Sequence, residues 1–332
     1  MDQSTIDRIK QLEQKYALMG QDLNAYLDGL LLSNFPPYWD YTMVDTLLTL
    51  QRPKTDFPDE TIFIIYHQIN ELYFRLCLHE MQQLAYNGRD IAHTGEDRGW
   101  FASLSADLMV ERLKRMNNYF GALAKSFDIM VHGMEKEQFL RFRMALLPAS
   151  GFQSAQYRMV EICATSMYNL VDKDSRDRFK EDDDRLDEMF AHIYWKQGAK
   201  ETASGQKTLT LKQFEQKYSE RLTALAREYS TRNMWAKYMG MTEADRQRED
   251  LQHQLREFDL NVNIRWPLVH YRSAVRYLSS DKKDVAATGG TNWQQYLPPR
   301  LQKRVFYPHL WAESDLAEWG TAPFLERYAP GL

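Results

Sequence analysis

The chain has 332 residues, with 42 Lys and Arg against 46 Asp and Glu, 15 Gly, 11 Pro and two cysteines. The net charge of −4 lacks the basic surplus that phosphate neutralisation needs, which excludes nucleic acid as the main partner. Cys77 and Cys163 cannot build a secreted disulfide scaffold, so a reducing cytoplasm is the expected location.

So few Gly and Pro favour long helices over a β-sandwich or barrel. The opening MDQSTIDRIKQLEQKY is charged and amphipathic, holds no signal-peptide core, and predicts a helix over 5–32 that ends at Pro36-Pro37. A short helix over 40–51 stops before Arg52-Pro53. Pro58 and Asp59 open a long helix in which Ile62, Ile65, Ile69, Leu72, Leu76 and Met81 keep helical spacing, and Asn87-Gly88 closes it. Its IFIIY stretch is far short of the ~18 apolar residues that cross a bilayer, so no membrane association is expected.

Further helices are predicted over 105–131 and 135–146, the second closing at Leu147-Pro148. A polar, small-residue connection over 148–158 leads into the helical MVEICATSMYNLV. The stretch 174–256 alternates charge with scattered aromatics and reads as a peripheral insert of three or more exposed helices, with a solvated loop at 198–207. A strong helix returns over 258–279, which Pro267 bends or begins, followed by a Gly-bearing loop over 281–292. The aromatic PHLWAESDLAEWG is expected to pack on the body. Without repeats or a linker, the expectation is an all-α fold, one helical-bundle domain over 1–332 with long antiparallel helices.

The common catalytic signatures are absent: no Glu-x-x-His pair for a di-iron site, no zinc spacing, no phosphate loop, no nucleophile elbow. Glu188/His192 and Glu249/His253 are four apart among charges and read as surface ion pairs. Two other histidines sit in unusual surroundings. His67 lies inside IFIIYHQINEL, on one helical face with Phe63 and Glu71, where an imidazole needs a partner. His270 shares a stripe with Trp266, Ser273, Ala274 and Tyr277, and the two small residues leave room for a flat macrocycle whose iron the imidazole can ligate. For each, a packed and hydrogen-bonded core histidine is the competing reading. Arg141 and Arg143 point to different faces, so one turns inward and needs an anion from protein or ligand. ATGGTNW at 287–293 offers Thr288, Thr291 and two glycines, a weak signal alone.

Three strings in order, FPDETIFIIYHQINELYF, FRMALLPASGFQSAQYRMVE and RWPLVHYRSAVRYL followed by ATGGTNWQQYLPPRLQKRVFYPHLW, resemble the tryptophan 2,3-dioxygenase family. YWDYTMVDTLLTLQ at 38–51 resembles the family's Tyr-x-x-Tyr stretch, and the resemblance spans roughly 38–170 and 258–312. It implies an all-helical haem b enzyme that adds O2 across the indole C2–C3 bond of L-tryptophan to give N-formylkynurenine, opening the kynurenine pathway. His270 falls on the axial haem ligand, with Trp266, Ser150 and Gly151 also at the cofactor. His67 falls on the distal histidine that receives the indole N–H, and Phe63, Tyr38 and Tyr41 fall around the indole. Arg143 falls on the carboxylate clamp and Thr288 beside the ammonium group. The family is a homotetramer, a dimer of dimers, in which an N-terminal arm (1–35 here) reaches a neighbour's active site. The chain departs from the family's pattern at Phe139, where a tyrosine is usual, at Leu147-Pro148, at Pro267 and in a longer 281–292 loop. A sibling monooxygenase of another aromatic amino acid or substituted indole, and a non-enzymatic haem-binding sensor, are the alternative readings.

Overall fold

A computed structural model describes residues 1–92, 95–200, 205–278 and 297–331. It is all-α apart from one short hairpin. The chain divides into two compact units, 1–50 with 88–102 and 51–87 with 103–332.

The first unit contains α1 (Gln3–Leu18), α2 (Leu23–Leu32), α3 (Tyr38–Thr42) and α4 (Val44–Leu47). The helix expected over 5–32 is therefore two. Gly20 takes φ +67°, a left-handed conformation that ends α1. The Asp22 carboxylate then accepts the Asn24 N–H at 2.9 Å and starts α2 afresh. Tyr16 and Tyr26 meet edge to face at 4.7 Å across the turn. Strands β1 (Arg89–Ile91) and β2 (Asp97–Trp100) pair antiparallel, with Arg89 opposite Trp100. This hairpin escapes sequence analysis because strands of three and four residues are too short to show an alternation.

The second unit is built on α5 (Pro58–Ala85), whose Pro58 occupies the first turn, where a missing N–H is harmless. The fully buried Glu60 carboxylate accepts the Lys54 and Thr55 N–H groups at 2.7 and 2.8 Å, tying down the entry to the helix. Next come α6 (Ala106–Ser126), α7 (Asp128–His132) and α8 (Lys136–Phe142), then a 3₁₀ turn Arg143–Leu146. Met109, Leu113, Met116, Phe120 and Leu123 form the buried stripe of α6, which packs against α5. The helices α9 (Ala155–Ala164) and α10 (Met167–Leu170) follow.

The stretch expected to be peripheral carries α11 (Leu186–Ala191), α12 (Tyr194–Gly198), α13 (Leu209–Glu228), α14 (Met234–Met239) and α15 (Glu243–Arg246). It is corrected here. Leu211, Phe214, Leu222, Trp235 and Tyr238 are buried in the main core, because the many charges sit on only one face of each helix. Part of the 198–207 loop lies outside the described residues.

Helices α16 (Glu249–Leu260) and α17 (Trp266–Leu278) form one continuous rod through a π-turn, Asn261–Arg265. Pro267 therefore does not begin the helix. It sits just past the π-turn, where the wider winding accommodates a residue without an N–H. The C-terminal α18 (Pro299–Gln302), α19 (Glu313–Ala317) and α20 (Ala322–Tyr328) complete the unit. Trp311, Trp319 and Phe324 pack on Leu260 and Ile264, as expected of the aromatic end. The buried Asp259 carboxylate accepts the Phe306 and Tyr307 N–H groups at 3.0 and 3.2 Å and Trp311 Nε1–H at 3.1 Å; burial raises its pKa to about 6.

Candidate functional site

His67 sits in the third turn of α5, half-buried. Its Nδ1 lies 2.7 Å from the Phe63 carbonyl, one turn back. A carbonyl only accepts, so the neutral ring carries its proton on Nδ1 and a lone pair on Nε2. Burial pulls the imidazole below its usual pKa, against the Phe63 carbonyl and the Glu71 carboxylate, which both favour the cation. The Phe63 ring lies 4.1 Å from the imidazole, then Phe142 at 5.8 Å and Phe139 at 6.1 Å from Phe63. Phe139 reaches Tyr277 at 4.6 Å, whose hydroxyl donates to the Met134 carbonyl at 3.2 Å. This wall is apolar.

His270 repeats the arrangement on α17. Its Nδ1 donates to the Trp266 carbonyl at 3.0 Å, which leaves Nε2 with a lone pair and, among the described residues, no partner. Burial lowers its pKa to about 4, opposed by the Trp266 carbonyl and reinforced by the nearness of the His67 ring, which disfavours a second cation. The two imidazoles thus lie within electrostatic reach of each other, a neighbourhood no sequence spacing reveals. Two aromatic rings bridge them: Tyr66 is 6.2 Å from His67 and 5.7 Å from Phe127, and Phe127 is 4.5 Å from His270. Trp266 meets His270 edge-on at 4.3 Å. Ser273 and Ala274 on the same stripe are half-buried and small.

A neutral, oriented imidazole with its second nitrogen open is the donor that iron or another borderline metal requires. Among the described residues no group of three or more His, Cys, Asp or Glu is placed to hold a metal ion, and His270 offers a single imidazole nitrogen.

Of the two arginines, Arg143 turns inward, 6% exposed, and desolvation lowers its pKa. Arg141 stays outside, over the Phe57 ring at 4.7 Å. Ser150 and Gly151 open a short 3₁₀ turn in which Ser150 N–H donates to Gln153 Oε1 at 3.1 Å. A Cβ on Gly151 meets no atom within 4 Å, so that surface is open. Tyr38 and Tyr41 belong to the first unit and are 73% and 79% exposed. Thr288 and the 281–292 loop lie outside the described residues.

The expected ion pairs of Glu188 with His192 and Glu249 with His253 do not form among the described residues. Glu188 pairs with Arg185 instead, at 3.3 Å. Sequence reasoning missed Tyr66 and Phe127, which bridge the histidines. It also missed Gln156, whose Nε2 donates to both the carboxylate and the carbonyl of Glu71 at 2.8 Å. Its position inside SGFQSAQYR was the available signal.

A family model described as tryptophan 2,3-dioxygenase matches residues 33–259. Among curated relatives, the tryptophan 2,3-dioxygenase of Ruegeria sp. (strain TM1040) is 38% identical over 124 residues, 37% of this chain and 39% of that protein. The one from Anaeromyxobacter sp. (strain K) is 36% identical over 124 residues, 37% of this chain and 42% of the relative. These matches thus span only about two-fifths of those relatives' length. That of Bacillus thuringiensis subsp. konkukian (strain 97-27) is 25% identical over 281 residues, 82% of this chain and 90% of the relative.

Proposed function

Because the chain belongs to the tryptophan 2,3-dioxygenase family, we propose that it is a haem-dependent dioxygenase that converts L-tryptophan to N-formylkynurenine. One observation carries the reading: α5 and α17 bring together two neutral imidazoles, each with Nδ1 bonded to its own helix and Nε2 open. The donor set fits haem: His270 Nε2 would hold the iron, and the Trp266 carbonyl on Nδ1 fixes the tautomer that leaves Nε2 open. Haem, when bound, supplies the oxygen chemistry; the protein supplies position and electrostatics.

His67 Nε2 accepts the indole N–H, which a protonated imidazole could not do, and its depressed pKa keeps it an acceptor. Phe63, Phe139 and Phe142 exclude water around the ring. Arg143, held near this wall by the turn after Phe142, clamps the substrate carboxylate with its planar fork. Thr288 takes the ammonium group. With Phe139 in place of a tyrosine, the carboxylate rests on the arginine without a phenolic hydroxyl.

The first unit exposes Leu31, Phe35, Tyr38, Trp39 and Tyr41, an apolar surface of the kind that protein partners cover. This supports a homotetramer in which 1–35 and the two tyrosines are covered by a neighbouring subunit. Light scattering should then give four times the 39.3 kDa chain mass, and a monomer contradicts the assembly.

The activity is tested by single-substrate turnover of haem-loaded protein under labelled O2. Both labelled atoms in the product support a dioxygenase; one labelled atom makes it a monooxygenase. No oxygen uptake with haem bound makes it a binding protein. No carbon must be deprotonated by the protein, so His67 orients more than it abstracts. His67→Ala should retain haem and measurable turnover, reduced by about 10- to 100-fold, as for a lost positioning hydrogen bond. Complete inactivity with haem in place contradicts this role.

A further inference from the structure

The π-turn upstream of His270 leaves the Val262 carbonyl without a main-chain donor. Trp266 N–H donates to the Asn261 carbonyl, five residues back. Val262 C=O thereby loses the donor that an α-helix supplies at the fourth residue on. The fifth residue, which a π-helix uses, is Pro267, and proline has no N–H. Val262 is fully buried, and an unpaired carbonyl there is expensive.

Two side chains from distant parts of the chain fill the gap. Tyr157 Oη–H donates to Val262 O at 3.1 Å, and Arg304 Nη2 donates to the same oxygen at 3.2 Å and to Tyr157 Oη at 2.9 Å. Arg304 is itself fixed. Its guanidinium also donates to Asn263 Oδ1, Glu161 and Tyr194. Asn263 in turn donates to Asp259 at 2.6 Å, and Arg158 pairs with Glu161 at 2.9 Å. Arg304, Glu161 and Asn263 are 3%, 0% and 1% exposed, so water cannot substitute for any of these partners. The neighbouring carbonyl of the turn's next helix, Trp266 C=O, is the one that holds His270 Nδ1.

We propose that Tyr157 and Arg304 are positioning residues for His270: by capturing the Val262 carbonyl they fix the pitch at which α17 leaves the π-turn, and so the direction of the His270 Nε2 lone pair. The inference rests on the reading of His270 as the haem ligand.

Tyr157→Phe removes the hydroxyl and keeps the ring packed on Phe74, 5.4 Å away. In haem-loaded protein, haem release should accelerate about fivefold, the effect of one net hydrogen bond. The ferrous iron–histidine stretching band should shift or broaden. Tyr194→Phe is the comparison: its hydroxyl accepts from Arg304 and donates to Glu161 but does not touch Val262, whose two donors Tyr157 and Arg304 both remain. It should lower Tm comparably and leave the band in place. In a Pro267→Ala background an N–H returns at the position a π-helix uses, and Tyr157→Phe should lose most of its effect. In the haem-free protein, Tyr157→Phe should speed hydrogen exchange at 266–270 while 249–258 stays unchanged. The proposal is overturned if Tyr157→Phe moves neither band nor release rate, or if Tyr194→Phe moves them equally. Wild-type protein that takes up no haem defeats the functional reading instead, and the exchange measurement then still decides whether Tyr157 holds α17.

Discussion

His270→Ala is expected to yield a folded protein that purifies without haem. The substitution removes the one open imidazole nitrogen that α17 offers and releases the Trp266 carbonyl from Nδ1. The surrounding core of Trp266, Phe127 and Tyr277 stays in place. The side chain is only half-buried, so the fold should lose little beyond an ordinary truncation, about 1 kcal/mol. Haem affinity should fall by at least about a thousandfold, roughly 4 kcal/mol, for loss of the axial bond. Added imidazole should partly restore binding by entering the space vacated. Retention of haem at wild-type occupancy and affinity would place the axial ligand elsewhere.

Arg143→Ala separates substrate binding from cofactor binding. Haem occupancy and its spectrum should match the wild type, while the Kd for L-tryptophan rises by about two to three orders of magnitude, or 3–4 kcal/mol, as for a lost partner of a desolvated charge pair. The guanidinium is buried at 6% exposure and desolvation lowers its pKa, yet arginine stays protonated, so the fork remains a cation at every working pH. Arg143→Lys should recover only part of the loss, because an ammonium cannot grip both carboxylate oxygens. Decarboxylated tryptophan should bind wild type and Arg143→Ala equally weakly. An unchanged Kd for L-tryptophan removes Arg143 from the site.

Much of this was legible in the chain itself, for identifiable reasons. The long helix from Pro58 shows because its apolar positions repeat with the helical period over eight turns' worth of sequence and both ends carry stop signals. His67 and His270 stand out because each interrupts an apolar run. That they come together was not legible, since 202 intervening residues separate them and only packing of α5, α6 and α17 brings them into reach. The 174–256 stretch misled through composition: its charges dominate the average while single faces supply Leu211, Phe214 and Trp235 to the core. Gly20 broke a periodicity that continues on either side of it, so the turn was hidden by the pattern around it. At Pro267 the sequence predicts a bend or a helix start, whereas a π-turn absorbs the proline, with Tyr157 and Arg304 donating to the Val262 carbonyl from parts of the chain that no local pattern connects.

The account stands on the bond between iron and residue 270, and a crystal structure of protein reconstituted with haem tests it most directly. The result foreseen is iron held by His270 Nε2, with Nδ1 still on the Trp266 carbonyl and His67 across the porphyrin. Iron bound through another side chain, or haem lodged away from both histidines, contradicts the account.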